Sequence, residues 1–460
     1  ITDCPHREKL GWLDVPNEMY NSLVYNYDME NFFKKVVQDC FDAQYSNGRV
    51  PSTVPHFMSV YDDDPNWGGA AILVPYRNWK TYGDMTTMTK FYPQMKKLMD
   101  YYTSKTVNHI MPGRNYSVLS DWGQETAGVN PMVPGEFTIT TTYYYMLNAM
   151  AEIASFLGKD VDAKGFLTQA QNTKKAFNER FYKDGVYEYG QQSEFAMPLY
   201  YGLVDQENEE LVAAKLAERV KKDNYKIKTG EIGLKPLFMS LAKYGYNDIV
   251  YQMANQTDCP SYGYWVKQGY TTTPEYWDVG AFSQNHCMMD HIEEWFFSQL
   301  GGIRNDGNGF DIVRIEPWIP EDMNHLDVTT RSIYGNIRCH YERGADDEMN
   351  YTFEIPANSQ ANIVLPCLNH QSVFENGKDV KNGEKGVVSV EYKDGKAYLK
   401  MGSGNYTLQI KKKEATGIQE VNISRARLND VYYDLEGRNH GKVRPSQKGI
   451  FIWNQKKVVL

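Results

Sequence analysis

Apolar positions recur at helical spacing through the first two thirds of the chain and alternate with polar ones in the last third. Between Met29 and Tyr45, the residues Phe32, Phe33, Val36, Val37, Cys40 and Phe41 share one helical face. The same spacing predicts helices over Thr87–Tyr102, Thr138–Leu157, Ala163–Phe181, Leu211–Val220 and Phe282–Leu300. Shorter ones are predicted over Val15–Tyr27, Ala70–Trp79, Glu194–Tyr201, Gly233–Tyr244 and Asn247–Met253. Clusters such as Asp62-Asp63-Asp64-Pro65-Asn66 and Met111-Pro112-Gly113 punctuate them. Eleven helical segments with no fixed sequence period predict hairpins closed into an α/α barrel rather than a solenoid. A six-hairpin barrel needs twelve helices, so its first helix is expected upstream of Ile1.

After Gly301-Gly302-Ile303 the texture changes. Phe310–Ile319, Leu326–Tyr334, Asn336–Arg343, Met349–Ile355, Gln360–Leu365, Val387–Tyr392 and Ala397–Lys412 alternate in the manner of strands, with turns such as Asn376-Gly377 and Asp394-Gly395 between them. About seven strands of this kind make an antiparallel β-sandwich. The polar stretch from Lys411 to Gly417 reads as a linker, and Val431–Arg438 with Lys448–Ile452 as a small strand–turn–strand unit. The expected organisation is therefore mainly α: a helical barrel over 1–303, a sandwich over 304–412, and a linker with a short β-rich tail over 413–460.

Composition narrows the partners. A formal net charge of −9, with no Lys/Arg run, excludes a nucleic-acid partner, which needs a basic face. No apolar run reaches the roughly 18 residues of a membrane span, so no membrane insertion is expected. Aromatics make up 14%, including 35 Tyr and 9 Trp, and lean toward carbohydrate because the apolar face of a pyranose stacks on such rings. The six cysteines Cys4, Cys40, Cys259, Cys287, Cys339 and Cys367 form no CxxC pair, so neither a disulfide framework nor a zinc site is expected. No cofactor is expected either, and Asp62–Asp64 reads as a solvated turn rather than a calcium loop.

Two acidic clusters carry candidate chemistry. In the first, Asp3, Arg7 and Glu8 lie within six residues, followed by Gly11-Trp12 and Asp14. Cys4-Pro5 disfavours a helix there, because the residue before proline avoids the α region. Such a loop can aim two carboxylates and a guanidinium into one pocket; a surface salt-bridge loop anchored by Trp12 is the alternative. In the second, Thr271-Thr272-Thr273-Pro274-Glu275-Tyr276-Trp277-Asp278, a carboxylate sits among a proline and aromatics. Apolar surroundings raise a glutamate's pKa by desolvation. Ordinary loop acids before a capped helix are the alternative there.

Together these residues resemble a known family. The first segment is similar to the Asp-Cys-Pro-Gln-Arg-(Asp/Glu)…Leu-Gly-Trp signature of glycoside hydrolase family 78, the bacterial and fungal α-L-rhamnosidases. The second is similar to that family's Thr-Thr-x-Trp-Glu-x-Trp-Asp…Asn-His segment. The order agrees as well, with Pro65-Asn66-Trp67-Gly68 and Ser120-Asp121-Trp122 between them, and the resemblance covers roughly residues 1–410. It implies an (α/α)6 barrel whose mouth carries an inverting exo-α-L-rhamnosidase site, acting on a rhamnose-containing oligosaccharide or polysaccharide. Carried over by position, Glu8 is the general acid and Glu275 the general base. Asp3 and Arg7 hold sugar hydroxyls. Trp12, Trp67 and Trp122 wall the subsite, and Asp14, Asp121, Trp277 and His286 are further sugar contacts. An inverting pair should stand roughly 6.5–9.5 Å apart to admit water. The tail resembles short C-terminal repeats of exported proteins from Gram-negative polysaccharide degraders, which implies a periplasmic or cell-surface location.

Three departures stand out. The family continues Trp-x-Gly-Asp where this chain has Trp12-Leu13-Asp14, one residue short, which puts the reach of Asp14 in question. Pro274-Glu275-Tyr276-Trp277 replaces Trp-Glu-Arg-Trp, and His6 replaces Gln. Arg7 and Lys9 flank Glu8, and cations oppose the raised pKa that a general acid needs unless they point away or are outweighed by burial and Asp3. The rival readings are an (α/α)6 glycosidase for another sugar, a non-catalytic carbohydrate-binding paralogue, and a polysaccharide lyase. The first is kept alive by the Asp14 region. The paralogue fits poorly with two intact glutamates, and the lyase lacks a convincing Tyr/His or Arg cluster.

Overall fold

The first predicted helix is broken in two at Met19, giving α1 (Asp14–Glu18) and α2 (Tyr20–Asn26). The stripe from Met29 folds as α3 (Glu30–Asp42), which buries Phe33, Val37, Cys40 and Phe41 and leaves Phe32 exposed. A short helix absent from the sequence reading, α4 (Pro65–Gly68), precedes α5 (Ala70–Tyr82) and α6 (Thr86–Lys105). Two long neighbours follow, α7 (Gly135–Phe156) and α8 (Asp160–Phe181), which pack side by side. A small hairpin, β1 (Tyr182–Lys183) with β2 (Val186–Tyr187), leads into α9 (Gln192–Tyr201) and α10 (Glu209–Lys222). The helical part closes with α11 (Glu231–Lys243), α12 (Asn247–Asn255), α13 (Tyr262–Lys267) and α14 (Ile292–Trp295). This computed structural model describes all residues except 1–3, 58–60, 62, 114–117, 279–282, 413–430, 443–444, 454–455 and 460.

One helix is shorter than its periodicity predicts. Among the described residues of the span Phe282–Leu300, only Ile292–Trp295 is α-helical, continued by a π-helical turn over Phe296–Leu300. The stretch before it is pulled out of helix by cross-links to the preceding loop. Glu275 N donates to Ser283 O at 3.0 Å, and His286 N donates to Thr273 O at 2.8 Å. Once those backbone groups are committed sideways, they are unavailable for an i→i−4 ladder.

The last third of the first unit is a sandwich of two sheets. Its strands are β3 (Ile303–Asn305), β4 (Ile312–Ile315), β5 (His325–Ser332), β6 (Gly335–Arg343), β7 (Met349–Ile355), β8 (Gln360–Pro366), β9 (Gln371–Glu375), β10 (Lys378–Asp379), β11 (Val387–Lys393), β12 (Lys396–Met401) and β13 (Gly404–Lys412). One sheet runs β10-β9-β13-β7-β6-β5 and the other β11-β12-β8-β4-β3, with β4 and β8 parallel. The predicted run Ala397–Lys412 divides at Gly402-Ser403 because the chain crosses there from one sheet to the other. Tyr398 pairs with Val364 in β8, whereas Tyr406 pairs with Phe353 in β7. Inward-facing Tyr341, Tyr351, Phe353, Ile363 and Leu408 fill the space between the sheets.

The chain forms two compact units, Ile1–Lys411 and Lys412–Leu460. Within the first, the predicted boundary at 303 is bonded across rather than linked loosely. Tyr25 Oη donates to Ile303 O and Thr330 Oγ1 donates to Tyr25 O, both at 2.8 Å, and Asn305 Nδ2 donates to Lys80 O at 2.7 Å. The second unit holds the antiparallel strands β14 (Tyr432–Asp434), β15 (Ile450–Trp453) and β16 (Lys456–Val459).

Four buried charges tie the helices together. Glu18 on α1, Arg77 on α5, Lys235 on α11 and Glu294 on α14 are all under 9% exposed, and their formal charges cancel. Lys235 Nζ lies 3.6 Å from Glu294 Oε2 and donates to Glu18 O at 3.4 Å. Asn17 joins the set: its Nδ2 donates to Glu18 Oε1 at 2.8 Å and to Asn66 O at 2.7 Å, and its Oδ1 accepts from Arg77 Nη1 at 3.1 Å. Burial pushes the Glu18 carboxyl up and the Lys235 ammonium down, against the pull of their partners. Removing one member strands the others in a dry interior. Lys235→Met should therefore cost about 3–5 kcal/mol in urea unfolding, and the double variant Lys235→Met/Glu294→Met should recover part of that loss. A single variant as stable as the parent would show that the four charges are not coupled.

Candidate active site

The amino-terminal motif folds as a turn rather than a helix. Arg7 N and Lys9 N both donate to Cys4 O, at 3.2 and 3.1 Å, wrapping the chain around Pro5. The strand-like stretch after it is pinned to a second loop: Val54 N donates to Gly11 O at 2.8 Å, and Leu13 N to Ser52 O at 3.0 Å. A Cβ on Gly11 would stand 2.2 Å from Val54 O, so only glycine permits this approach. Trp12 is thereby fixed inward, and Asp14, 2% exposed, begins α1 at the edge of the same cavity. Asp14 thus lines the cavity although its motif is one residue short. Asp3 lies outside the described residues.

The second motif delivers a buried carboxylate. The ladder between 272–275 and 283–286 includes Thr272 Oγ1 donating to Gln284 O at 2.6 Å, besides the two backbone bonds already given. His6, in the place of the family's Gln, accepts from Gln284 N at 3.4 Å and so braces this ladder from outside. Glu275 then receives four donors. Trp122 Nε1 reaches Oε1 at 3.2 Å, while Ser283 N at 3.2 Å, Arg7 Nη2 at 3.1 Å and Cys4 Sγ at 3.9 Å converge on Oε2. Arg7 Nη2 also bonds Glu8 Oε1 at 3.0 Å, so one guanidinium bridges both predicted catalytic acids. Arg7 therefore points at Glu8 rather than away from it, while Lys9 is exposed. The side chain of Glu8 is 28% exposed and that of Glu275 4%.

Three further segments complete the wall. Asp64 caps α4 through Asn66 N at 2.9 Å and also accepts from Leu119 N at 2.8 Å and Ser120 N at 3.0 Å. It is fully buried, which corrects the expectation of a solvated turn at Asp62–Asp64: its oxygens are committed to three backbone donors. This bracket sets Trp67 beside Leu119 at the cavity. Asp121 does not reach the cavity. Buried beneath it, Asp121 accepts from Ser193 Oγ at 2.7 Å, Gly230 N at 3.0 Å and Gly233 N at 2.8 Å, holding the start of α11 from a distant segment. A Cβ on Gly233 would meet Ser193 Oγ at 2.2 Å. Trp277, expected as a sugar contact, is also elsewhere. It is fully buried and stacked on Trp265 at 4.4 Å, with Nε1 donating to Thr229 O at 3.3 Å, and so supports the loop that carries Glu275.

The resulting cavity, about 330 Å³, is lined by Arg7, Glu8, Trp12, Asp14, Tyr61, Trp67, Leu119, Trp122, Glu231, Glu275 and His286. That is the small end of the roughly 300–1,000 Å³ range of ligand pockets and suits a single small ring. Four carboxylates face one arginine, a bias that favours positive charge developing on a bound ligand. Sequence reasoning missed Tyr61, Leu119 and Glu231. Glu231 is the first residue of α11, and its flanking Gly230 and Gly233 were the available sign of a tightly held turn.

Comparison with known proteins places the chain in a family. Residues 1–300 match the model described as the bacterial alpha-L-rhamnosidase 6 hairpin glycosidase domain, and residues 302–379 match the bacterial alpha-L-rhamnosidase C-terminal domain. An alpha-L-rhamnosidase of Formosa agariphila is 28% identical over 442 residues, covering 89% of this chain and 46% of its own length. One from Streptomyces avermitilis is 25% identical, covering 89% and 39%. The solved alpha-L-rhamnosidase of Dictyoglumus thermophilum superposes with a TM-score of 0.81 at 27% identity, covering 89% of this chain and 47% of that one. The chain spans about half the length of the curated relatives it matches.

Burial, outweighing the three backbone donors, pushes the Asp64 carboxyl up from 3.8 to about 7. In that window the folded protein holds a proton that the unfolded chain releases, so stability falls as pH rises from about 4 toward 7. Thermal unfolding of Asp64→Asn at about pH 5 and about pH 8 should lack this part of the parent's decline. Equal slopes for the two proteins would refute it.

Proposed function

The chain belongs to the bacterial α-L-rhamnosidase family, and from that premise we propose that it carries the site of an inverting exo-α-L-rhamnosidase that releases terminal L-rhamnose from glycans or glycosides. The observation that supports this best is the meeting of Glu8 and Glu275, 267 positions apart in sequence, in one cavity walled by Trp12, Trp67 and Trp122. Glycosidic cleavage with inversion needs a proton donor on one side of the anomeric carbon and a base that activates water on the other. Glu275 suits the base, because four donors hold it in place and leave little freedom to follow a leaving group. Glu8 is then the acid, and it meets the need for a raised pKa once a bound ligand draws the Arg7 guanidinium away from it. The tryptophan faces suit the apolar side of a deoxy sugar, including its methyl group.

In the bridged state, the two oxygens sharing Arg7 Nη2 lie no farther apart than their two bonds laid end to end. That is shorter than the roughly 6.5–9.5 Å of an inverting pair. Entry of the sugar must therefore displace Arg7 from Glu8, which leaves Arg7 free to take a sugar hydroxyl. Asp14, Glu231 and His286 are further hydroxyl partners in this reading. We read the helical part as an (α/α)6 barrel, a reading supported by the side-by-side packing of α7 with α8 and of α9 with α10 and α11. Export to the periplasm or cell surface, supported by the likeness of the tail, completes the proposal.

Hydrolysis of p-nitrophenyl α-L-rhamnoside tests the assignment. Glu275→Gln should lower kcat by about 10²–10⁴-fold. Glu8→Gln should fall less on this substrate, whose leaving group departs without a proton, and as far as Glu275→Gln on an alkyl rhamnoside. Activity that survives both substitutions would overturn the site, and NMR detection of retained anomeric configuration would overturn the mechanism. Glu231→Gln should raise KM by about tenfold, one lost hydrogen bond to a charged group, with kcat little changed. A kcat effect alone would place Glu231 off the sugar.

A further inference from the structure

The cavity carries a cation of its own in the Arg7 guanidinium. Arg7 Nη2 rests 3.1 Å from Glu275 Oε2 and 3.5 Å from Cys4 Sγ, in a nest of donor atoms that also faces His286. Cys4 is fully buried, His286 is 2% exposed and Glu275 3%. One ligand atom from each of the three lies within 4.8 Å of the other two. In the sequence, Cys4 and Glu275 stand 271 positions apart, so no spacing rule for metal ligands detects the set. Folding assembles it: the Cys4 turn supplies the thiol, and the 272–286 ladder aligns the carboxylate with the imidazole.

We propose that Cys4, Glu275 and His286 form a binding site for a thiophilic divalent cation of the zinc class, and that occupancy switches the enzyme off. The donor set is one thiolate, one imidazole and one carboxylate, the mixture that selects zinc-like ions over calcium or magnesium. Tetrahedral bonds of about 2.3 Å to sulfur and about 2.1 Å to oxygen put those two ligand atoms about 3.6 Å apart. Cys4 Sγ and Glu275 Oε2 are 3.9 Å apart, so the site needs only a slight contraction. The fourth position faces the cavity and takes water. A divalent ion exchanges for the guanidinium of Arg7, whose side chain is 34% exposed and has solvent to withdraw into. As the metal–sulfur bond forms, the Cys4 thiol releases its proton to solvent, and no electron changes hands. The metal then occupies the Glu275 oxygen that hydrolysis requires, a consequence that rests on the base role proposed above.

Cobalt(II) serves as the spectroscopic probe and zinc(II) as the test ion, on the full chain. Cobalt should bind one equivalent with a thiolate charge-transfer band, which disappears in Cys4→Ser and persists in Cys259→Ser and Cys287→Ser. His286→Ala should weaken zinc binding by more than the roughly 10–100-fold that loss of an outer-sphere partner costs. Zinc-edge absorption of the unmodified protein should show a single sulfur near 2.3 Å, a measurement independent of any variant's folding. A missing band, a band that survives in Cys4→Ser, or a shell without sulfur overturns the site. Zinc should abolish rhamnoside hydrolysis in step with occupancy, and a chelator should restore it. Binding with unimpaired hydrolysis overturns the switch, whereas binding to a protein with no hydrolytic activity overturns the enzymatic reading and leaves the site standing.

Discussion

Everything at the site hangs from four charges buried under it. Glu18, Arg77, Lys235 and Glu294 neutralise one another at the meeting of α1, α5, α11 and α14. Charges in such a place are tolerated only when each has its partners, so the helices have little freedom to slide or rotate independently. Two of these elements lead straight into the cavity. α1 starts at Asp14 and α11 at Glu231, while Asn17 bonds Asn66 beside Trp67. The network fixes the floor, and the floor fixes where the cavity's walls begin.

Above that floor, the chemistry rides on loops rather than helices. Loops are free to aim side chains but need backbone bonds to hold still. Each functional segment here has such bonds: the Cys4 turn, the Gly11–Val54 pairing, the Asp64 bracket and the ladder joining 272–275 to 283–286. The last of these costs a predicted helix its first turns, and in exchange places Glu275 and His286 on one wall. Asp121 and Trp277 act one layer further out. Asp121 is a remote cap for α11, and Trp277 is a stacked support, so each shapes the cavity without facing it.

Much of this architecture was legible before folding was considered. Periodicity located many elements closely, as with Met349–Ile355 among the strands and Asn247 among the helix starts, because burying an apolar face is a local requirement of each segment. The failures share a cause. The helix over Phe282–Leu300 lost its start to bonds made with a loop ten residues away, and Ala397–Lys412 was split by a change of sheet. Asp64 was read as solvated because three adjacent acids look polar, yet its partners come from 119–120.

The sequence by itself determined the family and put forward Glu8, Glu275 and the tryptophans as candidates, because these reside in residue identity and order. It could not decide which motif residues face the cavity. Asp121 and Trp277 belong to the motif but turn away, whereas Glu231 and Tyr61 belong to no motif and turn in. Nor does linear spacing reveal that Cys4, Glu275 and His286 converge on one another. Only tertiary structure settles such matters, since whether a side chain faces a cavity depends on backbone bonds made by segments hundreds of residues away.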